Sequence, residues 1–223
     1  MSATLAGKPP VEIVYPESDG KAIADNTLQF RWIMTIQGGL DALFPPDVDV
    51  FVAGDLLWYP VEGEPKICQA PDVMVAFTRP RGDRGSYLQW KEGGVAPQIV
   101  FEILSPNNRL NELTRKFQFY ERYGVQEYYV YDPDNGELFG WQRNGDRLLE
   151  IPQMHRWVSP LLKVRFEMAE GELKMYGPDG GRFMTYRELI EQRKEAEQAK
   201  EQAQRELDKL RAQLQALGVK PNI

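Results

Sequence analysis

The chain has 223 residues and a formal net charge of −6, so it lacks the basic excess of a general nucleic-acid binder. Its one cysteine, Cys68, excludes an intramolecular disulfide, and its one histidine, His155, excludes a multi-histidine zinc site. The thiol-poor composition suits the cytoplasm, where we expect the protein, and the N-terminus shows no signal peptide and no apolar run reaches the length of a membrane span.

The first part of the chain predicts an irregular arm, one helix and then strands. Residues 1–20 form the predicted arm. Apolar side chains at helical spacing predict a helix from about 26 to 43, with Asp25 or Asn26 as its N-cap. The segments "DVDVFVAGDLLWYP" and "PDVMVAF" are rich in valine and aromatic residues and predict strands. The polar, glycine-rich residues 79–95 predict a loop. Its cations are Arg79, Arg81, Arg84 and Lys91.

The middle of the chain predicts a strand, a helix and a strand in series, over residues 97–104, 107–123 and 127–132. Such a series is typical of a right-handed crossover between parallel strands. The turn sequences "PDNG" and "NGD" predict a hairpin after it, and two short strands are expected within 161–178. Because hairpins flank the crossover, we expect a mixed sheet in a fold of the α/β or α+β class.

The last part of the chain differs in composition, since it is rich in charged residues, glutamine, alanine and leucine and lacks proline. With Tyr186 at position a of a heptad, leucines occupy the last four a and d positions. Two interpretations stay open: a coiled coil that joins copies of the chain, and a single solvated helix held by i,i+4 ion pairs. The four leucines are Leu207, Leu210, Leu214 and Leu217. The predicted segments are an arm over 1–20, a domain over 21–184, this helix over 185–217 and a tail over 218–223.

One acid, Glu102, interrupts the buried-strand pattern of "PQIVFEILSP". Side chains alternate along a strand, so Glu102 shares a face with Val100 and Leu104 and is partly desolvated. A carboxylate there should be protonated, ion-paired or bound to metal. Asp72, at the start of a preceding strand, would add a second hard oxygen donor, and such a pair suits Mg²⁺ or Mn²⁺. The alternative is structural, with a turn bond for Asp72 and a lysine paired to Glu102.

Four motifs together resemble the Uma2 family, a group of restriction-endonuclease-like proteins in the PD-(D/E)XK nuclease superfamily. They are "PD" at 71–72, "EILSP" at 102–106, "KFQFYERYGV" at 116–125 and "EYYVYDP" at 127–133. The likeness covers roughly residues 45–135. Each motif alone is a weak signal, whereas the set in this order is specific.

The resemblance implies a restriction-endonuclease-like fold, a mixed sheet flanked by helices, with a Mg²⁺ or Mn²⁺ site. The implied ligands are Asp72, Glu102 and the carbonyl of Ile103. The superfamily usually has a lysine two residues after the glutamate, where this chain has Leu104. The resemblance assigns that role, assistance to the attacking water, to Lys116 in the following helix. From the residues alone, Lys116 lies at the edge of an apolar stripe on the predicted helix, and a snorkelling side chain also explains it. The stripe consists of Leu110, Leu113, Phe117 and Tyr120.

The implied function is that of a Mg²⁺-dependent endonuclease acting on DNA, with the arginines of residues 79–95 as candidate phosphate contacts. The alternative is a nuclease fold with little or no catalysis that serves as an oligomerisation or binding module through residues 185–217. Leu104 and the acidic composition favour this alternative. Two further acids are weaker candidates. Asp55 is either a third carboxylate of the site or a turn acid, and Glu112 is expected to pair with Lys116 rather than to bind metal.

Overall fold

The computed structural model describes residues 13–20, 22–106 and 110–217. The chain divides into two compact units, Met1–Phe183 and Met184–Ile223. In chain order the helices and strands are α1 (Thr27–Leu43), β1 (Val50–Gly54), β2 (Trp58–Tyr59), β3 (Val73–Phe77), β4 (Tyr87–Leu88), β5 (Ile99–Ile103), α2 (Leu110–Tyr123), β6 (Glu127–Asp132), β7 (Glu137–Asn144), β8 (Arg147–Glu150), β9 (Arg165–Ala169), β10 (Glu172–Tyr176) and α3 (Tyr186–Ala216).

The first unit is built on a six-stranded mixed sheet in the order β1-β3-β5-β6-β7-β8. Strands β5 and β6 pair in parallel and are joined by α2, as the strand-helix-strand series predicted. The pairings β1–β3, β3–β5, β6–β7 and β7–β8 are antiparallel. Strands β9 and β10 form a separate antiparallel hairpin. The predicted mixed sheet is therefore confirmed.

Both faces of the sheet are buried. One face packs against α1 and the β9–β10 hairpin, and the helix contributes Ile33, Ile36 and Leu40 to this first cluster. The other face packs against α2, where Tyr120 and Trp58 belong to a second cluster. Burying each such large apolar side chain stabilises the fold by about 1.5–3 kcal/mol. Helices on both faces of a mixed sheet confirm the predicted α+β class.

The first helix begins where the sequence predicted. The side chain of Asn26 accepts a hydrogen bond from the backbone N–H of Gln29 at 2.8 Å, which caps the helix. Gly39 lies inside the helix although glycine weakens helices. A Cβ atom at this position would lie 2.3 Å from the ring of Phe183, so glycine allows the ring to pack against the helix.

Two details differ from the prediction. The polar loop over residues 79–95 contains a strand, β4, which pairs in parallel with β2. Its Tyr87 is fully buried and donates its hydroxyl hydrogen to the carbonyl of Val95, a contact that the polar composition of the segment conceals. Leu110, expected in the apolar stripe of α2, is 79% exposed at the start of the described helix.

The second unit is the helix α3, which begins with a capping box between Thr185 and Glu188. None of the residues in Tyr186–Ala216 is buried, and Leu210 is 57% exposed. One i,i+4 ion pair, Arg205 to Glu201 at 3.3 Å, lies on its surface. The coiled coil and the solvated helix both remain compatible with this surface. Within the described residues, no helix has the length and apolar character that crossing a membrane requires.

Candidate active site

Two carboxyl groups face each other across strands β3 and β5. The antiparallel register pairs Val73 with Phe101, so the next step along the ladder sets Asp72 opposite Glu102. Both side chains alternate with residues of the second cluster and lie on the face that α2 covers. They are 9% and 2% exposed, respectively. The structure therefore brings together the two acids that the sequence proposed as partners.

The Asp72 carboxyl lies in an environment that disfavours its negative charge. Burial raises the pKa of Asp72 well above its ordinary value of 3.8, and the charge of Glu102 raises it further. The ammonium of Lys116 and a hydrogen bond from the backbone N–H of Ile103, at 2.6 Å to Oδ2, act in the opposite direction. Two carboxyl groups thus share too little positive charge, and a bound cation would relieve that deficit.

Lys116 reaches the site from helix α2. Its Nζ lies 2.6 Å from Oε2 of Glu102, and the side chain is 8% exposed. Helical side chains lean toward the N-terminus of their helix, and this direction carries the ammonium back over the strand that precedes α2. Burial alone lowers the pKa of Lys116, but the charges of Glu102 and Asp72 outweigh it and raise the pKa above its ordinary value. The surroundings of Lys116 therefore favour its protonated, positively charged form.

Tyr120 completes the contacts of Glu102. Its hydroxyl donates to Oε1 at 2.5 Å, so each oxygen of the carboxylate has a partner. Burial raises the pKa of Tyr120 well above its ordinary value, and the nearby charge of Glu102 adds to this. Sequence reasoning placed Tyr120 in the apolar stripe and in the family-like motif at 116–125 but gave it no role in the site. Its position four residues after Lys116, on the same helix face, is the signal that would have identified it.

Helix α1 contributes a second group of residues at the end of β5. The side-chain amide of Gln29 donates to the carbonyl of Ile103 at 2.8 Å, and the hydroxyl of Ser105 donates to Oδ2 of Asp25 at 2.5 Å. The backbone N–H of Asp25 in turn donates to the side-chain carbonyl of Gln29 at 2.8 Å. The Ile103 carbonyl, an implied ligand, retains a second lone pair. Sequence reasoning did not find Gln29.

The donor set fits a hard divalent cation that keeps several of its waters. Asp72, Glu102 and the carbonyl of Ile103 offer oxygen atoms, the ligands that Mg²⁺ and Mn²⁺ prefer. A cation at Glu102 would share the carboxylate with Lys116 and Tyr120 or replace one of these two contacts. No cluster of three or more histidine, cysteine, aspartate or glutamate side chains arranged to hold a metal occurs among the described residues.

The two weaker candidates lie at the edge of this group. The backbone N–H of Asp55 donates to the Asp72 carbonyl at 3.3 Å, and its side chain is exposed. Its charge contributes only slightly to the raised pKa of Asp72. The carboxylate that Lys116 contacts is Glu102, whereas Glu112 attracts its charge more weakly. The expected pairing between Glu112 and Lys116 is thus replaced by the ion pair with Glu102.

The arginines of residues 79–95 bond to the protein itself. Arg79 donates to the Glu92 carbonyl at 2.8 Å, and Arg81 to the Asp41 carboxylate at 2.8 Å. Arg84 contacts the carboxylate of Glu92 through two of its nitrogens. These side chains hold the loop in place, so their use as phosphate contacts would require them to exchange these partners.

Comparison with known proteins assigns the chain to a family. A family model described as "Uma2: Putative restriction endonuclease" matches residues 40–169, more than half of the chain. A solved structure, titled as a putative nuclease belonging to DUF820 from Anabaena variabilis ATCC 29413, matches with 16% sequence identity and a TM-score of 0.45. The match covers 60% of this chain and 72% of that one. No curated protein matches the chain. The chain belongs to the Uma2 family.

Proposed function

We propose that this protein is a nuclease that hydrolyses DNA phosphodiester bonds with a bound Mg²⁺ or Mn²⁺, and that it works in the cytoplasm. The observation that supports the proposal is the buried group of Asp72, Glu102 and Lys116, in which two facing carboxyl groups share one ammonium. The description of the family as restriction endonucleases agrees with this chemistry. The nucleic acid substrate and the metal are parts of the proposal.

Asp72, Glu102 and the carbonyl of Ile103 would hold the cation. When bound, such a cation activates water and offsets charge on a phosphodiester. The ammonium of Lys116 orients the water or stabilises the charge that develops on the phosphate, since its raised pKa keeps it protonated. Tyr120 fixes the orientation of the Glu102 carboxylate through its hydrogen bond to Oε1.

A cleavage assay with Mg²⁺ or Mn²⁺ tests this function. The Asp72→Asn variant should cut DNA at least about 100-fold more slowly than the parent. Loss of a residue that only supports a metal ligand costs up to about 100-fold, and loss of a ligand itself should cost no less. The matched control is Asp55→Asn, because Asp55 is an exposed neighbour whose positive φ of 49° suits asparagine. A parent protein that cuts no DNA, or two variants with equal activity, would contradict the proposal.

The role of Lys116 has a separate test. Lys116→Met should lower cleavage by about 100-fold, in the range of general electrostatic assistance in active sites. Leu104 occupies the superfamily's lysine position, on the face of the strand that carries Glu102, and is only half-buried. Adding Leu104→Lys to Lys116→Met should therefore restore part of the activity. A Lys116→Met variant as active as the parent would make the lysine a structural partner only.

We also propose that copies of the chain assemble through residues 185–217. The supporting observation is the exposed leucine seam at Leu207, Leu210, Leu214 and Leu217. In a parallel pair, Glu206 at position g and Arg211 at the following e position would carry opposite charges. Sedimentation should show an oligomer for the parent, and a monomer for Leu210→Asp. Gln202→Asp, at the outer position c, should stay oligomeric. A monomeric parent would contradict the assembly.

A further inference from the structure

A groove of about 330 Å³ lies between helix α2 and the segment that precedes β3. Lys66 and Cys68 belong to one wall, and Gln118, Phe119 and Arg122 belong to the other. This volume is at the lower end of the usual range for ligand clefts, so the groove admits a short section of a polymer. The candidate site does not include any of these residues.

Both walls of the groove are close in sequence to residues of the candidate site. Cys68 precedes Asp72 by four residues, a distance of at most about 14 Å along the chain. On the other wall, Phe119 follows Lys116 by three residues, or about 4.5 Å along the helix axis. On α2, the groove therefore lies about one helical turn from Lys116 of the candidate site.

The groove carries the local positive charge that an acidic chain needs in order to bind a polyanion. Lys66 and Arg122 are exposed, and the lining includes no aspartate or glutamate. Within the described residues, neither cation forms an ion pair with an acidic side chain. This distinguishes them from Arg81 and Arg84, whose guanidinium groups contact carboxylates.

Packed rings connect the α2 wall of the groove to the candidate site. Phe119 packs edge-on against Trp58, with ring centroids 5.2 Å apart, and the Trp58 ring is parallel to that of Tyr120. Tyr120 in turn donates to Glu102. The rings are thus held by internal packing, and the exposed polar groups of Lys66, Gln118 and Arg122 are the ones that a ligand would contact.

We propose that this groove binds the sugar-phosphate backbone of the DNA strand next to the bond that is cut. The proposal rests on the proposed nuclease function and adds the path of the substrate to it. Lys66 and Arg122 neutralise phosphates, and the Gln118 amide donates to a phosphate or sugar oxygen. Because such contacts read no base edges, the groove contributes affinity and position, not sequence preference.

Binding of fluorescent DNA oligonucleotides in EDTA, measured over a range of salt concentrations, tests the groove separately from catalysis. The slope of log K against log salt concentration is negative. Its magnitude should decrease by about 1 for Lys66→Gln and for Arg122→Gln, and by about 2 for the double variant. The loss of DNA affinity in each variant should be the same for oligonucleotides of different sequence. The matched control is Arg147→Gln, an exposed arginine whose side chain points away from the face that α2 covers.

The outcomes separate the two proposals. If the groove variants keep the parent's slope while Asp72→Asn stops cleavage, the groove proposal is overturned and the nuclease proposal stands. If the slopes fall as expected in a protein that cuts no DNA with Mg²⁺ or Mn²⁺, the nuclease proposal is overturned and the groove remains a DNA-binding surface. A parent protein that neither binds nor cuts DNA overturns both.

Discussion

Two buried glutamates on neighbouring strands have contrasting surroundings. Glu102 on β5 is 2% exposed and Glu127 on β6 is 1% exposed, so burial alone does not distinguish them. They lie on opposite faces of the sheet. Glu102 alternates with Val100 of the second cluster, whereas Glu127 aligns with Tyr129 of the first cluster.

Their partners differ in charge. Glu127 accepts hydrogen bonds from neutral groups: the hydroxyls of Ser159 and Tyr129 and the backbone N–H of Leu161. It thereby fastens the segment before β9 to the sheet. Glu102 instead contacts the ammonium of Lys116 and faces a second carboxyl group. A buried acid with neutral donors is a structural element, and a buried acid that shares a cation with another acid is a candidate site.

The largest expected difference between the two glutamates is in stability. Glu102→Gln removes the carboxylate that pairs with a buried ammonium, which should lower the free energy of unfolding by about 3–5 kcal/mol. Glu127→Gln turns an amide N–H toward groups that themselves donate, and should cost about 1–3 kcal/mol. Urea unfolding of both variants measures this difference.

The control for the Glu102 variant removes its unpaired partner as well. The double variant Glu102→Gln/Lys116→Met should recover most of the stability lost by Glu102→Gln, because it also removes the buried ammonium that the single variant leaves without its hydrogen-bonded carboxylate. If Glu102→Gln and Glu127→Gln lost equal free energies of unfolding, the ammonium of Lys116 would not account for a difference between the two glutamates.

The elements of the fold were predictable where a local pattern determines them. The helical spacing of Trp32, Ile36 and Leu40 and the valine-rich strands followed from periodicity, because one buried face per element leaves a period in the sequence. Strand β4 was missed, since its two residues are too few to show a period. The leucine seam of α3 has the same pattern in a lone helix and in a coiled coil, so the sequence does not choose between them.

The candidate site was predictable only in part. Asp72 and Glu102 were found because a carboxylate in a buried strand needs a partner. Whether Lys116 reaches them depends on how α2 packs against the sheet, which periodicity does not encode. Gln29 contacts a residue 74 positions away, so no local spacing could point to it.

Each of the two glutamates accepts a hydrogen bond from a buried tyrosine. Tyr120→Phe and Tyr129→Phe each remove a hydroxyl that donates to a buried carboxylate, at 2.5 and 2.9 Å, and each should cost about 1.5–3 kcal/mol of stability. Only Tyr120→Phe should also weaken Mn²⁺ binding, by about 10–100-fold, because only Glu102 is a proposed ligand. Calorimetry with Mn²⁺ measures the affinity. Equal affinities in the two variants would assign Tyr120 a purely structural role.

The smallest expected effect has the opposite sign. Asp72→Asn should raise the free energy of unfolding by about 1 kcal/mol in EDTA, since it removes the repulsion between two carboxyl groups while its side-chain oxygen still accepts from the Ile103 N–H.

The pH dependence of this gain checks its cause. The folded pKa of Asp72 is raised, so above its ordinary value of 3.8 the unfolded chain releases the proton that the folded chain retains. The parent should then lose stability as the pH rises from that value toward the raised pKa, whereas Asp72→Asn lacks this loss. The advantage of the variant, followed by urea unfolding, should therefore grow from acidic to neutral pH. Asp55→Asn should show a much smaller growth, because the charge of Asp55 raises the pKa of Asp72 only slightly. If the stabilisation of Asp72→Asn did not change with pH, its cause would be packing and not the removal of repulsion between the two carboxylates.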